Sequence, residues 1–311
     1  MSVTRHASVS CDLDEIYNYC AIHDLSLADM PASAAHLVYD VALPRLCAWA
    51  REMQIPLTLF TVGADLRREQ AAGSLREAHS LGHEIGNHSF SHRYDFSRLT
   101  KSDMRGEVLR SRDAIAQAVG EEPVGFRAPG YIVNDLVFEV LSETRVHYDA
   151  SVFPCVPYYA AKAVVIAAMR AAGKRSRSII GAPDVLLAPR QPYRIGRHYT
   201  ERGAGLAELP IQTLPWSGVP FIGTTLTLAG AARAAWMARQ CVGEPFVNLE
   251  LHGVDVLSVE DGLQHLAAKQ RDLRIALDEK IASLTAAVQT LKHANYKFVT
   301  MREAATLFLA A

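Results

Sequence analysis

HEIGNHSFSH, residues 83–92, places three histidines within ten positions of a chain that has twelve. Its first half, HEIGNH (83–88), reads as a short strand. In its second half, His88-x-x-x-His92 has the spacing that puts both rings on one face if the strand turns into a helix. Two imidazoles so arranged can bind a borderline metal such as zinc. They can equally be a solvated pair, because Ser89, Phe90 and Ser91 do not complete the H-E-x-x-H signature. His83 has the opposite strand parity to His88 and reads as structural. What the rest of the chain supplies decides between these readings.

Outward from this stretch, short apolar runs alternate with helical patterns. ASVSCDL (7–13), IPLTLFTVG (55–63), PVGFRAP (123–129), VHYDASVF (146–153), PFVNLELHG (245–253) and KFVTM (297–301) read as strands. Helical spacing runs through 34–53, 69–82, 100–119, the NDLVFEVLSET segment after Pro129, and about 275–295. This β-α alternation predicts an α/β fold, with parallel strands and crossover helices closed as a distorted (β/α) barrel of about seven parallel strands, like the triosephosphate isomerase barrel. The chain reads as one domain, 1–311, with an elaboration at about 154–230 that is long for a single βα connection.

Half of the 311 residues are hydrophobic, enough for one large core, and the formal net charge is −1. No basic field exists to attract nucleic acid. Five cysteines without C-x-x-C spacing argue against a disulfide framework and fit a reducing compartment. The start, MSVTRHASVSCDLDE, lacks the apolar run of a secretory signal, and no stretch reaches about 18 uninterrupted apolar residues. A cytoplasmic location is the expectation.

Four further constellations sit at predicted strand ends. Asp12 and Asp14 are i and i+2, so on a strand their carboxylates lie side by side and repel unless a cation or a shared proton intervenes. The alternative is an acidic turn in which Asp14 caps a helix. Arg127, beside Pro129 and Gly130, could clamp a carboxylate, with a turn amide facing an oxyanion, or it could be a surface arginine on a type II turn. His252 closes a buried strand and faces the loop end, or is a core histidine bonded to a carbonyl. Asp149, at a similar strand end, could orient such an imidazole.

Taken together and in this order, SCDLD, TLFTVG, GHEIGNHSFSH, FRAPGY and LELH resemble the motifs of the polysaccharide deacetylase family, the NodB-homology hydrolases of carbohydrate esterase family 4. The resemblance spans about residues 7 to 305, and GHEIGNHSFSH is its most specific piece. It implies that Asp14, His88 and His92 are metal ligands and that Asp12 is the general base. It further implies that Arg127 orients that base and that His252 is the general acid. The backbone N–H of Tyr131 would help hold the oxyanion. The family's acidic pair is usually adjacent, whereas Leu13 separates it here, a D-x-D form that keeps both groups on one face. The family's Asp-Trp pair has no counterpart beyond Tyr148-Asp149-Ala150-Ser151, which leaves Asp149 as the partner proposed for His252. The resemblance implies a divalent metal, zinc before cobalt, nickel or iron, and hydrolysis of an N-acyl amide, most often N-acetyl on an amino sugar.

A non-sugar or cyclic amide is the second enzyme reading, and a catalytically silent sugar-binding relative is the third. Against the last, every key position is filled. Tyr94, Tyr131, Tyr158, Tyr159 and Trp216 could stack on sugar rings. The apolar run 160–172, followed by a basic cluster at 174–177, has three readings. It could pack on the barrel or a second subunit, lie on a membrane surface through 157–177, or form a mobile lid. Oligomeric state is open.

Overall fold

A computed structural model describes residues 4–174 and 176–309, so Arg175 of the basic cluster lies outside the described residues. Nine strands form one curled sheet: β1 (Arg5–Asp12), β2 (Leu57–Thr61), β3 (Glu84–Asn87), β4 (Gly125–Phe126), β5 (Tyr148–Asp149), β6 (Tyr193–Ile195), β7 (Arg202–Glu208), β8 (Phe246–His252) and β9 (Tyr296–Phe298). Their order is β6-β7-β5-β4-β3-β2-β1-β8, with β9 on β1. Every pairing is parallel except the β6–β7 hairpin. The sheet thus holds the expected parallel strands and a hairpin that the alternation did not announce.

Beyond Glu208 the chain carries on across the remaining gap. Ile211 N–H donates to Val152 O at 2.9 Å, and Gln212 N–H donates to Asn248 O at 3.1 Å. The Asn248 side chain adds bonds to the carbonyls of Leu209 and Pro210. The segment after β7 so ties the end of β5 to the β8 edge, which gives a distorted and nearly closed barrel.

Strand alternation separates an apolar outside from a polar inside. Ala7, Val9, Cys11 and Leu13 join Val247, Leu249 and Leu251 in the main apolar core, with residues of the surrounding helices Leu43–Met53, Ala231–Cys241 and Leu277–His293. The alternate residues turn into the barrel. Thr58 and Tyr148 both donate to Glu84, at 2.9 and 2.8 Å. One level higher, Ser10 donates to Asn248 Oδ1 at 3.1 Å and accepts from Arg127 at 2.9 Å. Thr58, Glu84, Tyr148, Ser10, Asn248 and Arg127 are all hydrogen-bonded in this way, as burial demands. The column ends at the carboxyl ends of the strands, where barrels of this kind place their chemistry.

The helical pattern at 34–53 is broken in the structure. It begins as a 3-10 turn (Ala32–His36), passes through a π-turn (Val38–Ala42), and becomes an α-helix only at Leu43–Met53. Pro44 has no N–H to continue the ladder, and the N–H groups of Val38 and Tyr39 donate instead to the Glu15 carboxylate. Within the stretch 154–230, the apolar run forms the helix Val156–Ala171. No described helix is long and apolar enough to cross a membrane.

Candidate active site and metal centre

Asp12 is the last residue of β1, and the Leu13 N–H extends the ladder by donating to Phe60 O at 2.9 Å. Leu13 is fully buried in the outer apolar core. With Leu13 anchored there, the side chains before and after it are directed to the barrel mouth. Asp14 Oδ1 then lies 3.2 Å from His88 Nε2 and 3.1 Å from His92 Nε2. The capping role open to Asp14 is taken by Glu15, whose carboxylate accepts from Ile16 N–H at 3.3 Å.

The histidine pair meets in a way that differs from the helical expectation. No helix begins directly after β3. Residues 88–92 form a loop in which Ser89 (φ 63°) and His92 (φ 49°) are left-handed. This loop, rather than an i,i+4 helical face, brings the ring centroids to 4.9 Å. Left-handed backbone is uncommon for non-glycine residues and persists only where its surroundings hold it. Here Asn87 Oδ1 accepts from Ser89 N–H, Ser89 Oγ accepts from His92 N–H, and the Glu107 carboxylate accepts from both Ser91 N–H and Oγ. Phe90 lies beneath the Arg110 guanidinium, 3.9 Å from ring centroid to Cζ. His83, as expected, is structural: its Nδ1 accepts from Leu57 N–H at 3.2 Å.

His88 Nδ1 is 2.7 Å from the Arg127 carbonyl. A carbonyl only accepts, so Nδ1 carries the proton and the Nε2 lone pair is left facing Asp14. Burial opposes charge on Asp14, yet His92 and His88 override it and hold the carboxyl well below its usual range. For His88, burial disfavours the cation, but Asp12 and Asp14 raise the imidazole above its ordinary value. Asp14 Oδ1, His88 Nε2 and His92 Nε2 are buried, lack hydrogen-bond partners among the described residues, and lie within 4.8 Å of one another. Polar atoms so buried are costly unless a further group satisfies all three. One carboxylate and two neutral imidazoles are a donor set that suits a divalent cation and leaves coordination positions open. The residues present therefore fit a metal.

Asp12, Glu250 and His252 also converge within 4.8 Å, but they are organised for charge pairing. Arg127 is fully buried. It donates to Asp12 Oδ1 at 2.8 Å, to Ser10 Oγ at 2.9 Å and to Ala150 O at 2.8 Å, with its face 4.2 Å from the Phe60 ring centroid. Gly86 allows this stack, since a Cβ there would come within 2.6 Å of the Phe60 ring. The surface-arginine reading is thereby excluded. Burial works against the guanidinium charge, but Asp12 and Glu250 outweigh it and raise its pKa further.

His252 requires a correction. Its partner is Glu250, with Oε1 3.0 Å from Nδ1, and not Asp149. The two share a strand face at i and i+2 in LELH. Burial disfavours the imidazolium, but Glu250 reverses the balance and holds His252 well above its ordinary value. Asp149 faces elsewhere. Its oxygens accept from Ser151 N–H and Oγ at 2.9 and 2.8 Å, and Ser151 Oγ accepts from Ala128 N–H at 2.7 Å. It shapes the turn after Arg127, and with Glu208 it forms a buried carboxyl pair in which burial, then the neighbouring Asp149, pushes the Glu208 carboxyl well above its usual range.

Tyr131 also differs from expectation. Its N–H donates to Ala128 O at 3.0 Å within the turn, so that amide is engaged. Tyr131 reaches the site through its hydroxyl, 3.2 Å from His252 Nε2. Of the other aromatics, Tyr94 packs edge-on against His92 at 4.9 Å, Tyr158 packs on Tyr131 at 5.9 Å, and Tyr159 OH donates to Tyr131 O at 3.4 Å. Trp216 is 93% exposed. A cavity of about 950 Å³ opens beside His92.

Residues 29–148 match the family model described as polysaccharide deacetylase. The match takes in His88, His92 and Arg127. A peptidoglycan deacetylase of Helicobacter pylori is 27% identical over 122 residues, 39% of this chain and 41% of that protein. A peptidoglycan-N-acetylglucosamine deacetylase of Bacillus cereus is 29% identical over 100 residues, 32% of this chain and 45% of that protein. The chain thus spans less than half the length of these curated relatives. A crystal structure from Mycobacterium smegmatis, assigned to the polysaccharide deacetylases, has a TM-score of 0.60 at 18% identity, over 97% of this chain and 90% of that one. A carbohydrate esterase family 4 pseudoenzyme from Bacillus anthracis has a TM-score of 0.50 at 10% identity, over 97% of this chain and 66% of that one. GHEIGNHSFSH and FRAPGY lie inside the matched segment, so residues 29–148 are similar to the polysaccharide deacetylases, and the barrel fold is shared with the Mycobacterium smegmatis structure across nearly the whole chain.

Proposed function

We propose that the protein is a metal-dependent amide hydrolase that removes the acetyl group from an N-acetylated amino sugar. The observation that carries this reading is the convergence of Asp14 Oδ1, His88 Nε2 and His92 Nε2, buried and unpartnered, beside the Asp12–Arg127 pair. Those three residues would hold a divalent cation, which when bound lowers the pKa of a water toward neutrality and polarises the acyl carbonyl. Asp12, held by Arg127 at 2.8 Å, would accept the proton of the attacking water. His252, charged through Glu250 at Nδ1, presents Nε2 to give a proton to the departing nitrogen. The Tyr131 hydroxyl at Nε2 keeps the ring in register until substrate arrives. Tyr94, Tyr131 and Tyr158 form an aromatic margin on which a sugar ring can pack.

The amino-sugar substrate is supported by the relatives, named for peptidoglycan and its N-acetylglucosamine. The silent-relative reading is opposed by the intact ligand set and base. The test joins metal analysis of purified protein to acetate release from a panel of N-acetyl amino sugars and cyclic amides. One divalent metal per chain, lost in His88→Ala, with acetate released from an amino sugar, is expected. Metal-loaded protein that opens only cyclic amides would overturn the substrate assignment, and protein that binds no metal would overturn the mechanism.

A further inference from the structure

Lys162, Ile166 and Arg170 recur at four-residue spacing on the helix Val156–Ala171 and therefore share one face. Ile166 is the buried residue of this helix and Lys162 is half-buried, so this face turns inward over that stretch, while Arg170 at its far end is exposed. The ordinary amphipathic arrangement is inverted, with Val156, Val164 and Val165 exposed while Lys162 turns inward. Its ammonium lies 3.5 Å from the Gly130 carbonyl, in the turn that carries Tyr131, and 5.6 Å from the Tyr158 ring centroid. Burial lowers its pKa to about 8. No carboxylate pairs with it among the described residues. A half-buried ammonium with a carbonyl and an aromatic ring but no counter-charge leaves room at the margin of the site for an anionic ligand.

Two turns along the same face, at a distance of about 12 Å, Arg170 borders a second cavity of about 390 Å³. Arg98 and Lys174 also line it, and no aspartate or glutamate does. None of the three forms an ion pair among the described residues. This cavity and the larger one at His92 share Ser176 and Ile179 as lining, so they adjoin along one channel that begins at a proposed metal ligand. In the larger cavity Asp95 is already held by Arg93 through bonds of 2.9 and 2.7 Å, which leaves Asp24 as the other acid and Arg177 as a further cation. Scattered surface cations are ordinary. Arg98, Arg170 and Lys174 are themselves exposed, but they line one cavity without an acid, at the far end of a channel from the reacting centre, and together make a receptor for a multiply charged oxyanion.

We propose that this channel receives the phosphate-bearing end of the substrate, with Arg98, Arg170 and Lys174 on the phosphate and Lys162 facing the anionic substrate nearer the amide. The word substrate rests on the deacetylase reading, so the test separates the two. Glucose 1-phosphate, which carries a phosphate but no amide, is titrated into the metal-loaded protein by calorimetry. Wild type is expected to bind it, and the double variant Arg98→Gln, Arg170→Gln is expected to bind at least about tenfold more weakly. Equal affinities overturn the proposal. Acetate release is then compared for N-acetylglucosamine 1-phosphate, N-acetylmuramic acid, a neutral N-acetylglucosamine tetramer and a polyprenyl diphosphate-linked N-acetyl sugar. The phosphate substrates are expected to show the highest kcat/KM, lowered about tenfold in the double variant while the neutral tetramer is unaffected. Preference for the neutral or carboxylate substrate, or an equal loss on all four, overturns it. Preference for the lipid-linked over the soluble phosphate, or the reverse, upholds it and identifies the source. Arginine-dependent binding of glucose 1-phosphate with no acetate released from any substrate fails the deacetylase reading and leaves the anion site standing.

Discussion

At the strand ends Asp12, Asp14, His88 and Arg127 are at most 5% exposed, whereas Val164 on the helix Val156–Ala171 is 69% exposed and Ile166 alone on that helix is buried. The floor of the site is a closed network in which each residue's backbone and side chain are held from several directions. The wall is a single helix laid over the mouth, with Val156, Val164 and Val165 outward and Lys162 turned toward the site. The floor is built to fix atoms within tenths of an ångström, as proton and metal chemistry requires. The wall touches little and is free to change with the substrate. Substitutions in the two regions should therefore differ both in size and in kind.

The largest effect belongs to the floor. Asp14→Asn or His88→Ala removes one of three donors and should abolish metal binding, with acetate release reduced by about a thousandfold or more. Inductively coupled plasma mass spectrometry of the purified variants reads the first, and an acetate assay the second. Full metal occupancy in both variants would break the assignment of the centre. Asp12→Asn should lower turnover about 10²- to 10⁴-fold while the metal stays bound, because Asp12 is held by Arg127 and stands outside the ligand set. Loss of metal in Asp12→Asn would instead exchange the roles of the two aspartates.

How much of this was legible in the sequence differs by residue for physical reasons. The residue types of HEIGNHSFSH pointed to the His88–His92 pair, but the spacing rule invoked a helix. The loop that actually joins them depends on left-handed backbone at Ser89 and His92, held by Asn87 and Glu107, and such long-range clamping leaves no periodic trace. Glu250 was readable: it shares parity with His252 on an evident strand. Asp149 drew attention because it also ends a strand, yet Ser151, two residues on, takes both of its oxygens. β7 was invisible because RGAGLAE has two glycines and an exposed start, so its strand character comes from pairing with β5 and β6 rather than from local preference.

A smaller and more diagnostic effect is expected at Glu250. Glu250→Gln keeps the shape but removes the charge that raises His252. The alkaline fall of kcat/KM marks deprotonation of His252, so it should move to lower pH by about one unit or more. The stability sign follows from the same shift. A histidine raised in the folded state adds stability that is fully present below its unfolded pKa of about 6.5 and is lost as pH rises through the folded value. The variant should thus lose stability at pH 6 and little at high pH, as read by denaturant unfolding at both. An unmoved alkaline limb would show that His252 is not the group titrating there.

The smallest effect tests the wall. Val164 faces solvent, so Val164→Ser removes almost no buried apolar area. Stability should change by less than about 0.5 kcal/mol, and acetate release should be unchanged. This follows from the inverted helix: if its apolar side is simply exposed, polar substitution there is free. A loss of several degrees in Tm, or a change of oligomeric state by light scattering, would mean that the outward face is covered in solution and that the wall is anchored after all. The difference between floor and wall would then lie in what each packs against, and the freedom ascribed to the helix would belong to Lys162 alone.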